Sequence, residues 1–186
     1  MPVASGFSRK KWPGPCLVPT MHPYPKHLDC FDYIGFHRYF VTFCTRDRRP
    51  FFTHADHVCL VEQHFLRAAK EFDIADLAHC FMPDHLHAAV EGRSPEADAR
   101  MFISRMKQYT GFHFKKEFGE PLWQRYGYER VVHDDEATSA VIRYVLENPL
   151  RAGLVSSVAE YPFIGSSEYS VEQLLDFCVD VANSSG

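Results

Sequence analysis

His85 and His87 flank a single residue in the run Met82-Pro83-Asp84-His85-Leu86-His87. In a strand, residues i and i+2 project from the same face, so the two imidazoles point together with their Cα atoms roughly 7 Å apart. Both rings can then converge on one divalent ion, while Leu86, Ala88 and Val90 point to the opposite face and can be buried. With eleven histidines in the chain, the pair taken alone also fits two neighbouring surface histidines. Two related chemistries fail on residue type. A histidine-triad nucleotidyl hydrolase needs a third alternating histidine where this chain has Ala89. A zinc deaminase needs a nearby glutamate and a Pro-Cys-x-x-Cys element, and neither is present.

A second group lies in Arg143-Tyr144-Val145-Leu146-Glu147-Asn148-Pro149. Tyr144 and Asn148 are four residues apart and so share one face of a helix, a turn from each other. Taken alone, a tyrosine beside Ala140, Val141 and Val145 reads as amphipathic core filler. Combined with the histidine pair it acquires a chemical reading. A metal-holding strand and a helical phenol are what cleavage of single-stranded DNA through a covalent intermediate requires, with the amide oxygen of Asn148 able to complete the metal shell. Tyr109 competes as the nucleophile, but it continues the apolar stripe Ala99, Phe102, Met106, which favours Tyr144.

The elements that must position these groups follow from periodicity. Phe36–Thr45 is rich in β-branched and aromatic residues and reads as a strand ending in the charged turn 46–50. Val58, Val61, Phe65, Ala68 and Phe72 recur at helical spacing within a helix of roughly 56–71. Strands over 74–82 and 85–91 are joined by the tight Pro83-Asp84 connection. A second helix is expected over about 95–114, a further strand over 123–132, and a third helix opened by Asp134, Asp135 and Glu136. Pro149 should end that helix near Asn148. The order strand–helix–strand–strand–helix–strand is the α+β, ferredoxin-like split βαβ pattern: an antiparallel sheet with helices packed on one face.

The 186 residues predict one compact domain with appendages. The composition, 46% hydrophobic and 24% charged, excludes wholesale disorder. Formal charge is −4, but five acids and no Lys or Arg follow Arg151, which leaves residues 1–151 near neutral. The first 28 residues contain Arg9, Lys10, Lys11 and Lys26 and no acid, together with six of the twelve prolines up to Pro25. Residues 1–30 therefore read as a basic, extended arm, 31–163 as the catalytic domain and 164–186 as an acidic tail. The six cysteines show no CxxC spacing, and no apolar stretch approaches the ~20 residues that span a bilayer. These features read as a soluble, reduced, cytoplasmic protein without membrane contact.

The run MPDHLH with a long helix after it, then LWQRYGYERVV, then IRYVLENPLRAGLV, resembles the single-tyrosine HUH transposases, and within them the REP-associated tyrosine transposases. The resemblance covers about residues 33–163 and is far more specific than the histidine pair. It implies that His85 and His87 are metal ligands, Tyr144 the nucleophile and Asn148 the third ligand. It implies Mg²⁺ or Mn²⁺ as the ion that polarises the scissile phosphate. Attack by Tyr144 would form a 5′-phosphotyrosine link and a free 3′-OH, a step that another 3′-OH can reverse without ATP. Hairpin-forming single-stranded DNA is the implied partner. Monomers with the tyrosine in cis and domain-exchanged dimers both occur in the family, and the monomer is the expectation for the REP-associated branch.

The expected DNA contacts are Arg105, Lys107, Lys115, Lys116, Arg125 and Arg130, with Trp123, Tyr126 and Tyr128 interleaved, because basic groups bind phosphate and aromatics stack on unpaired bases. Two other readings compete: a DNA-binding protein of the same fold that no longer cuts, and a small metallohydrolase using only the histidine pair.

Overall fold

A computed structural model describes residues 33–125, 128–132 and 138–179 of the chain. The expected arm over 1–30 and the acidic cluster Asp134, Asp135 and Glu136 lie outside the described residues. Strand β1 (Arg38–Cys44) leads to α1 (Ala55–Glu71), β2 (Ile74–Met82), β3 (His85–Gly92), α2 (Ala99–Phe118) and β4 (Tyr128–Val132). The strands order as β4-β1-β3-β2 with every neighbour antiparallel, the arrangement of the split βαβ pattern. Cap chemistry sets the ends of α2. The Asp98 side chain accepts the Met101 N–H at 2.8 Å, and Gly119 leaves the helix at φ 78, a left-handed value glycine adopts without a steric cost. The helix is thereby displaced about one turn beyond the expected 95–114.

Alternation along the strands separates two cores. Tyr39, Val41 and Phe43 of β1 and Leu86, Ala88 and Val90 of β3 face α1 and α2, whose Val61, Phe65, Phe102 and Met106 are fully buried. Each such aromatic or aliphatic side chain contributes roughly 1.5–3 kcal/mol on burial. The expected helical layer on one face is therefore present. The opposite face is covered as well, by α3 (Thr138–Leu146), the short helix α4 (Asn148–Arg151) and α5 (Val171–Val179), through Val141, Ile142, Val145, Leu146 and Leu174. A register shift between Asp76 and Ala78 reverses the phase of β2, so that Cys80 and Met82 face α3 while His79 and Phe81 face α1.

The described part of the expected acidic tail belongs to the fold. Strand β5 (Ile164–Gly165) pairs with the outer edge of β2, and α5 packs on α3 through Leu174, so the apolar positions of 164–179 outweigh its acidic composition. Covering that edge removes a row of unpaired backbone groups. Gly165 sits directly over His79, where an added Cβ would stand 2.7 Å from the imidazole. The strand expected over 123–132 is shorter, with β4 confined to Tyr128–Val132. Trp123 makes only an isolated bridge to Thr45, its indole donates to Thr110 Oγ1 at 2.7 Å, and the regular ladder begins at Tyr128.

Candidate active site

Both histidines lie near the start of β3, on the face covered by α3. His85 is fully buried and His87 is 7% exposed. Their Nε2 atoms stand 2.9 Å apart. Each Nδ1 is occupied on the far side: that of His85 donates to Asp84 Oδ1 at 2.6 Å, and that of His87 lies 2.8 Å from Thr42 Oγ1. A donated Nδ1–H leaves the Nε2 lone pair free, the tautomer that metal ligation requires. Burial, then the neighbouring His85, then Arg151 and Arg48, hold the His87 pKa well below the usual imidazole value, so His87 is neutral at pH 7. Two ligand atoms about 2.1 Å from an octahedral ion at right angles stand about 3 Å apart, so the pair fits a divalent cation. Among the described residues no three His, Cys, Asp or Glu side chains are grouped to hold a metal ion. Among the described His, Cys, Asp and Glu side chains, the grouping that faces one point here is thus the imidazole pair.

Tyr144 is carried by α3 on the same face of the sheet and is 46% exposed. Its ring meets Phe40 edge-on at 5.4 Å, and Phe40 in turn stacks on His87 at 5.3 Å. On another side the Arg151 guanidinium lies 4.4 Å from the Tyr144 centroid, while that arginine also binds Glu147 Oε2 at 3.0 Å and the Tyr144 carbonyl. Phe40 and Arg151 therefore define where the phenol ring sits.

Asn148 is buried one turn beyond Tyr144, and its local role follows from Pro149. A proline has no N–H to give the carbonyl four residues back. Asn148 Nδ2 instead donates to Val145 O at 3.2 Å and to Tyr144 O at 2.9 Å. The amide nitrogen is thus committed to the end of α3, and only Oδ1 is available as a metal donor.

The competing tyrosine lies elsewhere. Tyr109 packs in the α1–α2 layer, with its hydroxyl donating to Glu71 Oε2 at 2.7 Å and Arg67 4.4 Å from its ring centroid. The sheet separates it from the histidines.

The expected DNA contacts scatter. Arg105, Lys115 and Lys116 ride on α2, across the sheet from His85 and His87. Arg105 donates to Gln108 Oε1 at 2.9 Å. Lys107 donates to the carbonyls of Gln124 and Arg125 at 3.1 and 3.2 Å, and burial holds its pKa below the usual lysine value. Arg125 is exposed just beyond that loop, and the Arg130 side chain lies outside the described residues. The arginines whose charge reaches His87 are Arg48 and Arg151, which sequence reasoning passed over. It also passed over Thr42, Asp84 and Phe40. Asp84 had a signal, since a carboxylate beside a candidate ligand is a common orienting partner. Thr42 and Phe40 had none, because only strand pairing sets them beside His87.

The model of the family "Transposase IS200 like" matches residues 35–148, well over half of the chain. A protein of Haemophilus influenzae that bears the name REP-associated tyrosine transposase is 21% identical over 136 residues, 67% of this chain and 77% of that protein. A solved REP-associated tyrosine transposase bound to a REP hairpin superimposes with a TM-score of 0.62 at 19% identity, covering 77% of this chain and 82% of that one, a likeness of fold. With the family model spanning both histidines, the phenol and Asn148, the chain belongs to the IS200-like transposase family.

Proposed function

We propose that this transposase is a metal-dependent single-strand DNA endonuclease and strand transferase that uses Tyr144 as its nucleophile at hairpin-forming ends or repeats. The observation that carries this reading is the convergence of the His85 and His87 Nε2 atoms, 2.9 Å apart, on the sheet face that also carries Tyr144. An Mg²⁺ or Mn²⁺ ion held by His85 and His87, with Asn148 Oδ1 as third protein donor, supplies charge stabilisation at the scissile phosphate when bound.

The chain's own groups do the rest. Tyr144 Oη attacks phosphorus, the P–O3′ bond breaks, the phenol proton passes to solvent and the 3′ oxygen leaves as a hydroxyl. Phe40 and Arg151 hold the phenol ring during this exchange, and the half-exposed position of Tyr144 leaves room for a strand to approach. Arg105, Lys115, Lys116 and Arg125 contact phosphates flanking the cleaved segment rather than the reacting one. Packing of α3 on its own chain's sheet supports a monomer acting with the tyrosine in cis.

The test is a denaturing gel of a labelled hairpin oligonucleotide incubated with the protein and Mn²⁺. A covalent adduct is expected for the wild type and for Tyr109→Phe, and none for Tyr144→Phe. Loss of the adduct in Tyr109→Phe alone would reassign the nucleophile. Hairpin binding without any adduct would favour the non-cutting protein, and hydrolysis of small phosphoesters that survives Tyr144→Phe would favour the metallohydrolase.

A further inference from the structure

We propose that Arg48 is a positioning residue for the metal ligand His85, acting through Asp84. This rests on the metal reading of the histidine pair and adds a residue from a different part of the chain. The loop after β1 runs through Asp47 and Arg48, both at φ 54. Two successive non-glycine residues in left-handed geometry persist only where surrounding contacts over-determine them.

Those contacts are present. Thr45 donates from N and from Oγ1 to the Asp84 carbonyl at 3.0 and 2.9 Å, the Arg48 N–H donates to Thr45 O at 3.1 Å, and the Arg46 N–H to Leu122 O at 2.7 Å. The loop is thereby tied to the turn between β2 and β3. The result is delivery of one guanidinium. Arg48 Nε lies 2.9 Å from Asp84 Oδ2, and Nη1 donates to Cys44 Sγ at 2.8 Å, the residue opposite His85 in the β1–β3 register.

Asp84 is 1% exposed, so water cannot orient its carboxylate. One oxygen receives Arg48 and the other receives His85 Nδ1–H at 2.6 Å. The chain Arg48–Asp84–His85 therefore sets both the tautomer of His85 and the direction of its Nε2. Without the guanidinium, no other described residue holds the second carboxylate oxygen, and the imidazole loses its fixed aim.

The experiment measures Mn²⁺ binding to the full chain by calorimetry, and adduct formation as a function of Mn²⁺ concentration, for wild type, Arg48→Ala, Arg48→Lys and Asp84→Asn. Arg48→Ala should weaken Mn²⁺ binding about tenfold or more, with the adduct rate recovering at saturating Mn²⁺. Arg48→Lys, which keeps the charge but not the two-pronged contact, should fall between the two. Arg48→Ala/Asp84→Asn should bind no more weakly than the worse single variant, because the two act in series. Unchanged Mn²⁺ affinity in Arg48→Ala overturns the proposal. So does an adduct rate that saturating Mn²⁺ fails to restore, which would assign Arg48 to the DNA phosphate. Should Arg48→Ala fail to fold, Arg48→Lys against Asp84→Asn carries the same comparison. Absence of Mn²⁺ binding by the wild type would overturn the metal reading itself, and this proposal with it.

Discussion

Phe40 stacks on His87 with ring centroids 5.3 Å apart, and the same ring meets Tyr144 edge-on at 5.4 Å. One β1 side chain thus sets the spacing between the proposed ligand and the proposed nucleophile. Phe40→Leu keeps most of the volume and should cost less than about 1.5 kcal/mol of stability. Its adduct rate should nevertheless fall, because an aliphatic side chain offers no edge-to-face contact to the phenol. Phe40→Ala should lose about 3 kcal/mol in a urea titration. Equal rates for wild type and Phe40→Leu would show that the spacing is set by something else.

Asn148 caps α3 in place of the N–H that Pro149 lacks. Asn148→Ala should therefore lower stability by about 1–2 kcal/mol even without metal, since the Val145 carbonyl loses its side-chain donor and the Tyr144 carbonyl keeps only Arg151. Asn148→Asp keeps an oxygen for an ion but sets a carboxylate against those carbonyls. It should be less stable than wild type in chelator and regain part of the difference on adding Mn²⁺. A thermal melt of each variant with and without Mn²⁺ decides whether the residue acts as cap, ligand or both.

His79 lies on the other face of the sheet, with Nδ1 2.6 Å from Asp76 Oδ2 on β2 and Nε2 3.2 Å from Glu62 Oε1 on α1. Burial opposes its charging, but the two carboxylates outweigh burial and push its pKa up to about 9. The folded protein thus binds a proton that the unfolded chain releases near pH 6.5. The stabilisation is fully present below about pH 6.5 and is lost as pH rises through about 9. Urea midpoints should fall over that window in wild type, and His79→Gln should flatten the slope. A midpoint that rises with pH there would show that His79 is neutral in the fold.

Lys115 and Lys116 stand on the far layer from the histidines. Replacing both with Ala should weaken hairpin binding and make the salt dependence of log K shallower, by about 0.7 in slope for each single-strand phosphate that a lysine had neutralised. Mn²⁺ affinity and the adduct rate at saturating DNA should stay unchanged. Binding isotherms at several salt concentrations test this, and an unaltered slope would remove α2 from the DNA surface.

Much of this molecule is legible along the chain. The strands expected on either side of Pro83-Asp84 coincide with β2 on its observed residues and with β3 to within one, and the i, i+2 relation set Leu86, Ala88 and Val90 against α1 and α2. The i, i+2 and i, i+4 relations of His85 to His87 and of Tyr144 to Asn148 are local geometry, which neighbours in sequence dictate. What lay beyond local geometry was decided by packing. The acidic composition of 164–179 hid an apolar stripe that folds onto α3, and the basic face of α2 lies across the sheet from the histidines. Phe40, Thr42 and Arg48 reach the histidine pair and Asp84 only because β1 pairs with β3 in one register and the loop after it accepts two left-handed residues. Such meetings between residues some forty positions apart depend on strand register and loop strain, and neither is encoded in the identity of any single neighbour.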